Sequence, residues 1–130
     1  MKIYKIKELL KAKQYTDKNL DDKIINGAYA SDLMSDVLTT NFYEENSILI
    51  SGLNNPQVIR TAEMLDIDAI LLVRGKKPTD ETIAMAKEND IVLIGTDFNM
   101  YHSCGILYSN GVKGITNEKN KKLCVQNSKK

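Results

Sequence analysis

Three uninterrupted aliphatic runs stand out along the chain: Ile48-Leu49-Ile50, Ile70-Leu71-Leu72-Val73 and Ile91-Val92-Leu93-Ile94. Short apolar runs without polar alternation are the pattern of strands covered on both faces, as parallel sheets require. The runs recur regularly. Ile48, Ile70 and Val92 stand 22 residues apart, and Pro56 and Pro78 follow their runs at the same offset. The intervening segments 52–68 and 74–90 hold 17 residues each, enough for the helical crossover that joins parallel strands. The pattern predicts β-α-β-α-β with right-handed connections.

Within the first connection, Asn55 is placed to cap a helix with Pro56 at its first position, and Val58, Ile59, Ala62 and Leu65 form one apolar stripe. In the second, Thr79 is the expected cap. Asp80 and Glu81 then lie at the positive end of the helix dipole, and Ile83 and Ala86 face the sheet. Upstream, Ile3 and then Ile6, Leu9 and Leu10 among lysines predict a very short strand followed by a helix of about two turns. Residues 23–30 predict a strand with a bulge or tight turn at Asn26-Gly27. Ser31 or Asp32 would cap a short helix through Thr39, with Leu33 and Val37 buried and Met34 and Leu38 as further candidates. Residues 42–46 are expected as a loop. Downstream, Gly95-Thr96-Asp97 turns into a helix over 99–108 with Met100, Cys104 and Leu107 on one face, which Gly111 ends in a left-handed cap. Val112 and Ile115 mark a brief closing extended segment.

A chain of 130 residues is large enough for one core, and a single domain over 1–115 is expected. Charged residues make up 27% and the formal net charge is +1, which removes the electrostatic basis for general nucleic-acid binding. The charge is unevenly placed: 1–115 holds 13 basic and 16 acidic residues, whereas 116–130 holds five lysines against Glu118. The tail is expected to be flexible and solvated. Cys104 and Cys124 make neither a disulfide framework nor a zinc spacing. There is no signal-peptide pattern, and no apolar run approaches the roughly 20 residues of a membrane span. A cytoplasmic protein without a membrane partner is expected.

In open parallel sheets, ligands bind beyond the carboxyl ends of the strands, where loops and helix amino termini converge. Here that edge would carry Ser51-Gly52-Leu53-Asn54-Asn55, Arg74-Gly75-Lys76-Lys77 and Gly95-Thr96-Asp97. Ser51, Gly52, Asn54, Arg74, Gly75 and Thr96 are the candidate ligand-binding residues. The glycines allow close backbone approach, and Arg74, Lys76 and Lys77 suit a phosphate or carboxylate. Sharper motifs are absent. Gly75-Lys76-Lys77-Pro78-Thr79 lacks the Walker triplet, and no GxGxxG occurs. His102 has no second histidine to share a metal and reads as a structural or surface residue. Asp32 and Asp36 would share a helix face and could hold Mg²⁺ with phosphate, but capping by Asp32 and solvation of Asp36 is the simpler reading. No nucleophile, base and oxyanion stabiliser assemble, so no catalytic residue, metal ligand or cofactor is assigned.

Ala30-Ser31-Asp32-Leu33-Met34-Ser35-Asp36-Val37-Leu38 resembles the small-Asp-Leu-Leu-Ser-Asp-Val element of DRTGG domains. Asp68-Ala69-Ile70-Leu71-Leu72-Val73 with Pro78-Thr79-Asp80-Glu81-Thr82 resembles that family's strand, loop and helix. Residues 96–105, Leu107-Tyr108 and Gly111-Val112 are similar to its last helix, so the resemblance spans 24–115. The DRTGG string itself is absent from the chain. The resemblance implies an α/β fold like the amino-terminal domain of HPr kinase/phosphorylase, three α/β/α layers around a mostly parallel sheet. It also implies a regulatory module and not an enzyme, since such domains occur within phosphotransacetylases and CBS-containing pyrophosphatases, where they pair at dimer interfaces and are associated with nucleotide binding.

The expectation is therefore a non-catalytic regulatory domain, homodimeric or with a protein partner in trans, that senses a nucleotide or other anionic metabolite. The alternative is a protein–protein interaction subunit of a larger complex with no small-molecule ligand. An Mg²⁺-dependent enzyme built on Asp32 and Asp36 ranks last.

Overall fold

The computed structural model describes residues 1–39 and 46–115. The expected tail over 116–130, and the expected loop apart from Asn46, lie outside the described residues. The elements run α1 (Ile3–Leu10), β1 (Lys13–Gln14), β2 (Gly27–Ala30), α2 (Met34–Thr39), β3 (Ser47–Ser51), α3 (Pro56–Met64), β4 (Ala69–Leu72), α4 (Asp80–Glu88), β5 (Val92–Gly95), α5 (Met100–Ser109) and β6 (Lys113–Gly114). The strands form one sheet in the order β1-β5-β4-β3-β2-β6. All neighbours are parallel except β1, which runs antiparallel to β5. The result is a three-layer α/β/α fold.

Every residue of β3 and β4 is buried, the condition under which a strand can be aliphatic throughout. Ile48, Ile50, Leu71, Val92 and Ile94 pack on one face with Ile3, Ile6 and Leu10 of α1 and Leu107 of α5. Leu49, Ile70, Leu72 and Leu93 pack on the other with Met34 and Val37 of α2, Val58, Ile59 and Ala62 of α3, and Ala86 of α4. The 22-residue repeat is an average and not the register. Ile48 pairs with Ala69, and Ala69 with Val92, so the steps are 21 and 23 residues. A one-residue slip reverses the face a side chain meets, and Ile48 and Ile70 accordingly point into opposite layers.

The starts of α3 and α4 match the sequence, and Asn99, expected as the first residue of the last helix, caps it instead. Asn55 accepts from the Gln57 N–H at 3.0 Å with Pro56 behind it, Thr79 accepts from the Thr82 N–H at 3.2 Å, and Asn99 accepts from the His102 N–H at 2.8 Å. The crossover helices also end alike. Asp66 and Asp90 take left-handed backbone angles, and the next residues, Ile67 and Ile91, donate back to Ala62 and Ala86 at 2.9 Å. Gly111, with φ 96°, turns the chain after α5 as expected, and Val112 leads into β6 beside β2.

The amino-terminal region departs from expectation. Ile3 opens α1 instead of a strand, because Ile3, Ile6 and Leu10 share one helical face, and only Lys2 makes an extended bridge, to Ile24. After α1 the chain reverses at Lys11, φ 50°, and β1 adds to the β5 edge. Two polar residues at a sheet edge carry no hydrophobic period, so this strand left no trace in the pattern. Leu33 and Leu38 are 56% and 38% exposed, since the short α2 turns only Met34 and Val37 inward.

If core burial dominates the stability, Leu71→Ala should cost about 2–5 kcal/mol, while loss of a cap in Asn55→Ala should cost about 1 kcal/mol. Urea denaturation of the two variants checks this ordering.

Candidate functional site at the carboxyl edge of the sheet

The loops after β3, β4 and β5 meet at one edge and are bound to one another. Arg74 and Gly75 are consecutive left-handed residues, φ 61° and 67°, and their N–H groups donate to the carbonyls of Phe98 and Thr96 at 2.8 and 3.0 Å. The β4–α4 loop is thereby fastened to the β5–α5 loop. On its other side, Asn54 Nδ2 donates to the Lys77 carbonyl at 2.8 Å, and the Thr82 hydroxyl donates to the Asn54 carbonyl at 3.2 Å. Ser51 is buried, and its hydroxyl accepts from the Leu53 N–H at 3.1 Å. Thr96 is also buried. Its hydroxyl donates to the Leu10 carbonyl at 2.6 Å and accepts from the Phe98 N–H at 3.3 Å, which ties α1 to this edge.

Asp32 joins the same edge by a route unlike capping. The hydroxyl of Ser31 accepts from the Leu33 N–H at 3.0 Å and organises the turn before α2, while the Asp32 carboxylate reaches across to β3 and β4. Its Oδ1 accepts from the Gly52 N–H at 2.6 Å and its Oδ2 from Arg74 Nη1 at 2.9 Å. The Gly52 N–H, with the Arg74 guanidinium and the Ser51 hydroxyl, holds the carboxyl below its ordinary value against the opposing effect of burial. Gly52 is small for a direct reason: a Cβ there would lie 2.6 Å from Arg74 Cζ. Arg74 is thus charge-paired across the loops.

Farther along the edge, past Gly75, lies a cavity of about 290 Å³. Gly75, Gly95 and Thr96 line it, with Lys76 and Lys77 from the β4–α4 loop and Asp97 from the next loop. Its far wall comes from the segment after α1, as Lys11, Lys13 and Tyr15. Of the six residues selected from sequence, Gly75 and Thr96 line this cavity. Ser51, Gly52, Asn54 and Arg74 stand beside it, in the contacts that hold the loops. Sequence reasoning did not reach Lys11, Lys13 and Tyr15, because only the β1–β5 pairing brings them here. Nor did it pair Asp32 with Arg74, which are 42 positions apart.

A second concavity, about 830 Å³, runs along α5 over Ala28, Ala30 and Gly114 at the β2–β6 side of the sheet. Tyr101 and Tyr108 border it and are 89% and 74% exposed. Cys104 also lines it, and partial burial pushes its thiol up, away from nucleophilic activation. His102 stacks on Phe98 with ring centroids 4.5 Å apart. Among the described residues no three of His, Cys, Asp and Glu converge as metal ligands, and no helix is long and apolar enough to cross a membrane.

No protein-family model matches the chain, and no curated protein sequence does. Its fold is similar to a solved structure, the CBS and DRTGG domains of the regulatory region of Clostridium perfringens pyrophosphatase, complexed with its activator diadenosine tetraphosphate. The TM-score is 0.63 at 19% identity, over 82% of this chain and 45% of that one. The chain thus spans less than half of the pyrophosphatase regulatory region, and the likeness is one of fold.

The Asp32 carboxyl is lower in the folded protein than in the unfolded chain. Its stabilising contribution is therefore complete above the ordinary value of 3.8 and lost as pH falls through the folded value. Urea denaturation across the acid range should show a shallower acid loss for Asp32→Asn than for the parent. Gly52→Ala should displace Arg74 and weaken the same acid dependence, and an unchanged profile in both variants would remove this role for the contact.

Proposed function

We propose that this chain is a non-catalytic regulatory domain of the DRTGG type that binds a nucleotide or other anionic metabolite at the carboxyl edge of its sheet. The observation that carries this reading is the convergence of Lys11, Lys13, Lys76 and Lys77 on one cavity whose lining has Asp97 as its single carboxylate. The fold likeness to a regulatory region crystallised with a nucleotide activator supports the same class of ligand. Gly75 and Thr96 line the cavity in this reading. Ser51, Gly52, Asn54 and Arg74 set the positions of the loops. A regulatory domain acts on something else, and pairing as a homodimer or with a protein partner belongs to this proposal.

The test is thermal unfolding against ATP, ADP, AMP, diadenosine and cyclic dinucleotides. A specific ligand at about 100 times its Kd adds about 2.7 kcal/mol, a rise of several degrees in Tm. Arg74→Ala, which frees Asp32 and loosens the β4–α4 loop, should weaken binding about tenfold, or 1.4 kcal/mol. A flat response across the panel would count decisively against ligand sensing.

The α5 groove favours a second reading, an interaction subunit. Two highly exposed tyrosines beside an apolar groove are the composition of a protein–protein contact, in which aromatic residues carry much of the binding energy. Tyr101→Ser with Tyr108→Ser should then lower the mass measured by light scattering, or release a partner, without moving Tm by more than about 1 kcal/mol equivalent. An unchanged mass would set this face aside as the dimer contact.

A further inference from the structure

Elsewhere on the protein four cations have carboxylate partners, while Lys2, Arg60, Lys87 and Lys113 make no ion pair among the described residues. Lys5 pairs with Glu8, Lys7 with Asp21, Lys23 with Asp68 and Arg74 with Asp32. The four lysines around the carboxyl-edge cavity do not: among the described residues none of Lys11, Lys13, Lys76 and Lys77 makes an ion pair. They come from two separate arms. Lys11 and Lys13 stand on the reversal between α1 and β1, and Lys76 and Lys77 on the β4–α4 loop facing it, with Gly95 and Thr96 between them. Both arms have shape as well as charge, since Lys11 and Gly75 both take left-handed backbone angles.

The charge and size of the cavity select among anions. Four lysines against Asp97 in the lining leave a formal excess that a carboxylate or a single phosphate would only partly neutralise. At about 290 Å³ the space falls just below the range of sites that enclose a drug-sized ligand. It suits a short chain of phosphates, with any attached nucleoside left outside. Tyr15 is the aromatic residue among those that line the cavity. Its ring lies against Gly95, where an added Cβ would be 3.1 Å from Tyr15 Cε2, and the Lys13 ammonium stands 5.2 Å from the ring centroid.

We infer that the cavity is a polyphosphate clamp, in which Lys11 and Lys13 hold one end of a di- or triphosphate chain and Lys76 and Lys77 the other. This rests on the proposed ligand-sensing function and specifies its ligand chemistry. Binding joins the amino-terminal arm to the β4–α4 loop across β5. The Thr96 hydroxyl and the Arg74 and Gly75 N–H groups already link those segments to α1 and to the start of α5, so a bound chain rigidifies the edge as one unit.

The experiment is isothermal titration of the full chain with orthophosphate, pyrophosphate, tripolyphosphate, AMP, ADP and ATP at physiological salt. Pyrophosphate, tripolyphosphate, ADP and ATP should bind at least about tenfold tighter than orthophosphate and AMP. Lys11→Ala with Lys13→Ala, and separately Lys76→Ala with Lys77→Ala, should each weaken tripolyphosphate about tenfold or more, while Lys87→Ala with Lys113→Ala should not. Equal affinity for ATP and tripolyphosphate would assign recognition to the phosphates. Tighter ATP binding that falls to the tripolyphosphate level in Tyr15→Leu would add a nucleoside platform to the clamp. A ligand that binds equally well to both lysine double variants overturns the clamp and leaves ligand sensing standing, whereas no binding by any anion overturns both. Far-UV circular dichroism of each variant confirms that it is folded.

Discussion

The parallel pairing of β3, β4 and β5 is the constraint on which the rest of the structure depends. Strands that run the same way cannot be joined by tight turns, so each connection must cross the sheet, and the helices that do so cover its faces. Covered on both sides, Ile48 to Ile50, Ile70 to Leu72 and Val92 to Ile94 lose nearly all contact with water. A consequence of the same pairing is that the three carboxyl ends lie side by side. Loops that are far apart in the chain become neighbours there, and the backbone groups of Arg74, Gly75, Thr96 and Phe98 satisfy one another.

That edge has two parts with different electrostatics. Around Gly52, opposite charges neutralise: Asp32 accepts from a backbone N–H and from Arg74, and the contact closes the ends of β2, β3 and β4. Past Gly75, lysines from two arms gather against one carboxylate. Like charges that share a cavity repel one another, and in the proposed clamp a bound anion would relieve that repulsion. The loop between these parts is the β4–α4 loop, which carries Arg74 at one end and Lys76 and Lys77 next to it. In the proposed clamp, ligand capture and loop position would share the same backbone.

The opposite layer is covered less completely. α1 and α5 share the face that includes Ile48 and Ile50, and the strip over Ala28 and Ala30 is left as a groove. The small side chains of Ala28 and Ala30 leave room for that groove, and the exposed rings of Tyr101 and Tyr108 stand on α5 beside it. The α5 helix begins only three residues after Asp97, so the groove and the basic cavity are joined by a single short connection.

The three aliphatic runs, the proline and glycine punctuation, and the caps Asn55 and Thr79 were legible from sequence because each is local: burial on both faces, a fixed φ, or a side chain bonding a nearby N–H. So was the gathering of the loops after β3, β4 and β5 at one edge, which follows from parallel strands. Register was not, since aliphatic runs read the same when shifted by one residue, and only packing against α1 and α3 separates Ile48 from Leu49. β1 was hidden because two polar residues at an edge have no period to read. The chemistry of the edge depends on that strand, which carries Lys13 next to Gly95. The pairing of Asp32 with Arg74 belongs to tertiary structure for the same reason: an ion pair between distant residues leaves no pattern in sequence, and only the converging strand ends bring its partners within 2.9 Å.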